Sequence, residues 1–433
     1  MENLDFARLQ MAFTLGFHII FACIGMVMPF FMVVSHKKWL NTRNPVYLQL
    51  TKSWQKGVAI FFVTGAVSGT ALSFELGMLW PEFMKHAGPI IGMPFSLEGA
   101  AFFVEAIALG FYLYGWGKIP EKFHWFTGVI IGLSGVASGI LVVSANGWMN
   151  APVGFDYVDG RFLNIDPVQA FLNPAWFTQA LHMTLAAFVA TSFGVAGIHA
   201  FQIFKGRKVD LHTKAFKIAI VFGAVAAFLQ PLSGDLSAKD VAQRQPVKLA
   251  AMEAHYETGK GVPLYLGGIV DEKNRLVTHK IEIPKALSFL AFGDFDAEVK
   301  GLNDFPDDEL PPVAIVHTAF QIMVGIGTLL MVAGLIYFIS LKKKSWFKSK
   351  IYWLLFIVLA PMGFIAIEAG WVVTEVGRQP WIIHKIMRTK DAVTPMPGME
   401  YSFYMYVVLY SILAITVTWL MNRQIKALNS STV

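Results

Sequence analysis

Seven ionisable side chains stand where an apolar chain tolerates them least: His18, Glu75, Glu98, Glu105, His182, His199 and Glu368 all fall inside long hydrophobic runs. On insertion scales such a group costs a few kcal/mol, so each asks for a partner or a task. At a helical rise of about 1.5 Å per residue, His18, Glu98, His182 and Glu368 are expected at one depth, in the outer half of their runs, and Met323 joins them. Imidazole and thioether form the axial pair of many low-spin haems, whereas a single imidazole or an oxygen ligand leaves iron open to a small gas. The bland readings are a histidine bonded to a neighbouring helix for His182 and, with 19 methionines in the chain, simple packing for Met323. Glu98 and Glu105 are two helical turns apart on one face, the usual material of a proton relay. Lys occurs in these runs only near their ends (Lys52, Lys56, Lys214, Lys217, Lys350), and no Lys or Arg lies deeper to turn them into a structural ion pair. His199, beside Lys205, reads as interfacial.

The elements that must position these groups are long. Apolar stretches able to cross a hydrocarbon core, about 20 residues each, read at roughly 9–34, 52–76, 92–114, 123–147, 176–204, 213–230, 313–340, 350–372 and 401–421. The expected fold is therefore an all-α integral membrane protein with nine transmembrane helices. Basic residues crowd the connections after runs one, five and seven (Lys37, Lys38, Arg43; Lys205, Arg207, Lys208; Lys342, Lys343, Lys344), joined by Lys118, Lys122, Arg423 and Lys426. The positive-inside rule then sets the N-terminus outside and the C-terminus in the cytoplasm. The chain divides into 1–230 with helices one to six, a long outer loop 231–312, and 313–433 with helices seven to nine. Long ordered loops usually carry function, and a short hairpin is expected around Asp271 to Asn274.

Composition agrees. Hydrophobic residues make up 55% and charged ones 15%, with a mean hydropathy of +0.54, which excludes an ordinary soluble domain. The net charge of +6 is accounted for by cytoplasmic loops, and no nucleic-acid partner is implied. One cysteine, Cys23, excludes thiolate clusters and intrachain disulfides. Glu2, Asp5 and Arg8 precede the first apolar run, so no cleavable leader is expected. No internal repeat suggests the paired halves of a transporter.

Several segments together carry a resemblance: Ala-Arg-Leu-Gln-Met-Ala-Phe before His18, Leu-Glu-Gly around Glu98, Ala-Asn-Gly-Trp-Met-Asn at 145–150, and His182 near the start of run five. Gln-Pro-Val-Lys-Leu-Ala-Ala-Met-Glu-Ala at 245–254, Phe-Gln-Ile-Met-Val-Gly at 320–325, and Ile-Glu-Ala-Gly-Trp followed by Glu-Val-Gly-Arg-Gln-Pro-Trp through 367–381 continue it. Over essentially its whole length the chain resembles subunit I of the cytochrome bd type quinol oxidases. The resemblance implies that His182 and Met323 are axial ligands of a low-spin haem b (b558), and that His18 and Glu368 each ligate one haem of a high-spin pair. That pair would be a high-spin haem b (b595) and haem d, or a third haem b, with Glu98 beside it as a ligand or a proton donor and Glu105 in the proton relay. It further implies that Lys248 and Glu253 lie in a quinol-oxidising loop, where a carboxylate accepts a quinol proton and a lysine orients the ring oxygen. The implied partners are subunit II, with room for a small accessory subunit, quinol, dioxygen and membrane lipid, in a bacterial or archaeal cytoplasmic membrane.

Departures from the family pattern stand beside it. Gln321 occupies a position where better-known members carry an arginine next to the low-spin haem. Glu98 and Glu105 are one residue closer than the corresponding pair, the 231–312 loop is short, and Lys390 and Asp391 sit in an otherwise family-like outer loop. The expected activity is quinol oxidation with reduction of dioxygen to water, charge being separated without a pump if quinol protons leave outside and protons for water climb from the cytoplasm. Glu105, Ser134, Ser138 and Ser144 could line that climb, although span-four serines at helical spacing also suit close helix packing. The rival readings are a haem-binding relative without oxygen reduction or haem d, and a proton-coupled transporter built on the same carboxylates.

Overall fold

The computed structural model describes residues 3–430. Among them nine helices are long and apolar enough to cross a membrane: Asn3–Thr42, Pro45–Leu79, Pro81–Tyr114, Glu121–Asn150, Trp176–Phe204, Val209–Arg244, Val313–Lys342, Lys350–Val376 and Met399–Ser430. They are called spans one to nine here. Most overrun the hydrocarbon thickness, so polar side chains at both ends can reach water while the apolar middle stays dry. Local chemistry sets the boundaries. Asn44 accepts a hydrogen bond from Val46 N at 3.0 Å and Pro45 follows as first helical residue, which starts span two cleanly. Pro81 does the same for span three. Pro361, which has no N–H, falls where span eight breaks into Lys350–Leu359 and Met362–Val376.

Span six differs from its sequence expectation. It was expected to end near 230, yet the helix runs through Pro231 to Arg244. The added stretch is too polar for an apolar run to reveal, but it is a good helix. Lys239 pairs with Asp235 at 2.7 Å and Arg244 with Asp240, both four residues apart. Apolar packing centres on spans one, two, five, six, seven and eight, where Phe31, Phe193, Phe216 and Phe356 are fully buried. Spans five and eight approach so closely that a Cβ on Gly363 would lie 2.5 Å from Ala190 Cα.

The connection after span six folds over the end of the bundle. It opens with a buried helix, Pro246–Met252, and then makes antiparallel two-stranded ribbons. One of these is the expected hairpin, Ile269–Asp271 against Leu276–Thr278, whose turn is closed by the Asp271 carboxylate accepting from Lys273 N and Asn274 N. His317 and Gln321, in the first turns of span seven, hold the loop down. His317 Nδ1 bonds Met252 O at 2.8 Å, while Gln321 donates to Tyr265 O and accepts from Gly267 N, each at 3.0 Å.

Candidate functional site

His18 lies between spans one and two, its Nδ1 2.9 Å from Ser68 Oγ. The absence of a side chain at Gly69 makes room for the ring: a Cβ there would be 3.1 Å from His18 Cε1. Glu368 comes to the same level from span eight, since a Cβ on Gly16, two residues from His18, would meet its Oε2 at 3.1 Å. Its Oε1 is buried with no hydrogen-bond partner. Glu368 thus stands at the level of His18, but on a different face of span one, since residues 16 and 18 point to different sides of the helix. Toward the loop-bearing end, Glu75 is wholly buried and accepts from Gln10 Nε2 at 3.0 Å and Thr14 Oγ1 at 2.9 Å.

Glu98 and Glu105 both face span four: Glu98 accepts from Ser138 Oγ at 3.0 Å, and Glu105 lies against Gly135. Gly135 also packs on Met26 Cα, which is about 12 Å beyond His18 along span one. Glu105 therefore lies away from His18's level, and Glu98, about 10 Å back along span three, lies nearer to it, so the pair steps from that level toward the opposite end of the bundle. Of the span-four serines only Ser138 joins them; Ser144 donates to Phe171 O and holds a connection.

His182, on span five, faces span six, and Met323, on span seven, faces span eight. His182 Nδ1 is 3.0 Å from Ser233 Oγ, and Gln230 Nε2 lies 3.1 Å from the other ring nitrogen. Met323 presents its sulfur to span eight, where a Cβ on Gly370 would be 3.0 Å away. Their relative depth follows from a contact further along, where Gly334 of span seven packs on Ala224 of span six. From that contact Ser233 lies about 14 Å along span six and Met323 about 17 Å along span seven, in the same direction. Imidazole and thioether are therefore within one helical turn of a common level.

Lys248, in the Pro246–Met252 helix, turns its ammonium into the bundle. Nζ donates to Asn150 Oδ1 at 3.1 Å and Thr374 O at 3.0 Å. Burial, reinforced by the Arg378 cation and opposed by Glu375, brings its pKa down to about 7. Glu253, one residue past the same helix, is 4% exposed and its Oε2 has no partner; burial pushes its carboxyl up to about 8. No hydrogen bond joins the two among the described residues. Arg378 is 3% exposed, bonds Glu375 at 2.5 Å, and leaves Nε and Nη1 unpartnered. Asn146 donates to the other oxygen of Glu375. His384 is held near 4 by burial and by the cations Lys385, Lys248 and Arg378.

Sequence reasoning missed Ser68, Ser233, Asn150, Glu375 and Arg378. Arg378 and Glu375 were within a quoted motif, and a buried arginine beside a carboxylate is a readable signal; the serines gave none. His199, near the end of span five, is buried, with Nδ1 2.8 Å from His212 Nδ1, and His212 reaches Asn429 at 3.0 Å. Trp54 packs edge-on against it.

The donor set suits haem. Two imidazoles have Nδ1 engaged by a serine, a thioether and a half-free carboxylate line the interior, and a buried guanidinium with unpaired N–H groups fits an acidic substituent. Comparison with known proteins points the same way. Residues 6–429 match the family described as "Cytochrome bd terminal oxidase subunit I". A Bacillus subtilis (strain 168) protein provisionally named a cytochrome bd menaquinol oxidase subunit I is 35% identical, the match covering 97% of this chain and 96% of that one. A second from the same organism, "Cytochrome bd ubiquinol oxidase subunit 1", is 31% identical over 98% and 94%. The solved structure of bd oxidase from Geobacillus thermodenitrificans superposes with a TM-score of 0.93 at 36% identity, covering 98% of each chain.

Proposed function

Because the chain belongs to the family of cytochrome bd terminal oxidase subunit I, we propose that it is the haem-bearing subunit of an oxidase that takes electrons from membrane quinol and reduces dioxygen to water. The observation that carries the reading is the common level of His182 and Met323. When bound, haem supplies the electron-accepting iron and the site at which dioxygen is reduced. His182 Nε2 and Met323 Sδ would hold a low-spin haem b, and His18 and Glu368 the high-spin pair, haem b and haem d or a third haem b. Arg378 and Lys248 are the buried cations suited to the acidic haem substituents or to the quinol oxygen.

At the loop, Glu253 takes the quinol proton and Lys248 orients the ring oxygen. The loop-bearing end faces outward, so that proton leaves on the outer side, while Glu105 and Glu98 carry protons inward from the cytoplasm toward the His18 level. Charge separation follows from the two proton routes opening on opposite faces, without a pump. Subunit II, and a small accessory subunit, cover lipid-facing surface.

The testing experiment is a reduced-minus-oxidised spectrum of the purified complex. Met323→Leu keeps volume but removes the thioether, and should convert the low-spin haem to a high-spin form. Glu368→Ala should lose high-spin haem and oxygen reduction with the low-spin haem still reducible by quinol. Glu375, two turns further along the same helix and bonded to Asn146 and Arg378, is the second carboxylate span eight offers; loss of high-spin haem in Glu375→Ala but not in Glu368→Ala would transfer the ligand role to it. A colourless complex, or a low-spin band that persists in both Met323→Leu and His182→Ala, would sink the reading.

A further inference from the structure

Two histidines on different spans are held in the same way by Ser-Gly pairs on two other helices. His18 Nδ1 is 2.9 Å from Ser68 Oγ on span two, and His182 Nδ1 is 3.0 Å from Ser233 Oγ on span six. Each hydroxyl also lies against a carbonyl of its own helix: Ser68 donates to Thr64 O at 2.9 Å and Ser233 to Gln230 O at 2.9 Å. Both serines are buried, at 0% and 2% exposure. Each is followed by a glycine against the ring edge, where a Cβ on Gly69 would be 3.1 Å from His18 Cε1 and one on Gly234 would be 3.6 Å from His182 Cε1.

A hydroxyl has one proton and two lone pairs. With its proton committed to the helix carbonyl, each serine can only accept from the imidazole, which fixes the hydrogen on Nδ1 and leaves Nε2 a bare lone pair. Gln230 Nε2 lies 3.1 Å from His182 Nε2 and 3.3 Å from Nδ1, so the serine bond alone assigns the tautomer.

We infer that Ser68 and Ser233 are positioning residues for the iron ligands, each forming with the following glycine a clamp that fixes tautomer, ring plane and basicity of one histidine. This rests on His18 and His182 being haem ligands. The bond from Nδ1–H gives the ring more anionic character, so the ligand favours ferric over ferrous iron and holds the midpoint potential down. The clamp acts on each haem separately, since the serines belong to different helices.

The test is a spectroelectrochemical titration of the purified complex carrying Ser233→Ala or Ser68→Ala. Ser233→Ala should raise the midpoint potential of the low-spin haem alone. An expected tenfold change in the ferric-to-ferrous ratio corresponds to ~59 mV for a one-electron couple. Ser68→Ala should do the same to one high-spin haem alone. Ser→Thr at either position keeps the hydroxyl and should return the potential to the wild-type value; where an alanine variant loses haem outright, the threonine variant decides. Unchanged potentials in both alanine variants, equal movement of all haems, or no rescue by threonine would overturn the inference while leaving the ligand reading intact. Retention of the full haem complement in His18→Ala and His182→Ala would overturn the ligand reading itself.

Discussion

Glu253 is buried with one carboxylate oxygen unpartnered, a large cost unless the proton is retained or exchanged with a substrate. Its carboxyl at about 8 and the Lys248 ammonium at about 7 are tuned to neutral pH, where a general base and an orienting cation work best. The signs oppose. Glu253 becomes a competent base as pH rises through about 8, whereas Lys248 loses its charge as pH rises through about 7. Quinol oxidation should therefore be bell-shaped with its maximum between these values, and Lys248→Arg, permanently charged, should remove the falling limb. Glu253→Gln should cut quinol oxidation by about 10²-fold or more, with haem spectra and oxidation of an artificial donor unchanged. Loss of both activities together would mark a folding defect. His182 and Met323 could be picked out at this scale from residue type and depth; Ser68 and Ser233 could not, because serines are common in such helices and only packing selects these two.

Among the elements, spans five and eight depend on small residues. Gly197 faces Ala360, Gly194 faces Phe364, and Gly363 faces Ala190, where an added Cβ would lie 2.5 Å from backbone. Helices in lipid gain little from hydrophobicity against one another, so close backbone approach supplies the packing. Gly363→Ala should push the spans apart at a cost of about 1–3 kcal/mol, read as a lower thermal midpoint of the complex and weakened retention of haem. An unchanged midpoint would mean that the break at Pro361 absorbs the strain. Span six teaches a related point. Its apolar run ends near 230, but the helix continues to Arg244, held by ion pairs four residues apart and by Ser233 and Ser237 back-bonding to carbonyls. Hydropathy registers only apolar side chains, and this stretch is a polar helix in which only Ser233 and Ala242 are buried.

On the scale of the whole molecule, charge is sorted between the two ends. Lys37, Lys38, Arg43, Lys118, Lys122, Lys205, Arg207 and Lys342 lie at helix ends or turns opposite the long loop. The loop-bearing end gathers Asp304, Asp307, Asp308 and Glu309, two of which are paired, Arg275 with Asp307 at 2.5 Å and Arg388 with Asp308 at 2.6 Å. The positive-inside rule then predicts that a reporter fused after Val433 is exposed to the cytoplasm and one inserted in the Lys273–Asn274 turn is exposed outside. A cytoplasmic readout at the turn would reverse the proposed direction of proton release.

The sequence by itself determined the class of the molecule, because nine apolar runs in water have no stable alternative to crossing lipid as helices. It also determined most of the chemistry-bearing residues, because an imidazole or carboxylate inside such a run is too costly to be incidental. Tertiary structure decided which of them meet. Glu368 comes level with His18 because span eight packs at Gly16, and Glu105 lies away from that level because Met26 closes on Gly135. Gln321 grips the loop because the ribbon at Tyr265–Gly267 lies over it, and His199 is buried because Trp54 and His212 come together from other helices. Such outcomes depend on helix rotation and depth, which a hydrophobic run leaves open until neighbouring side chains interlock.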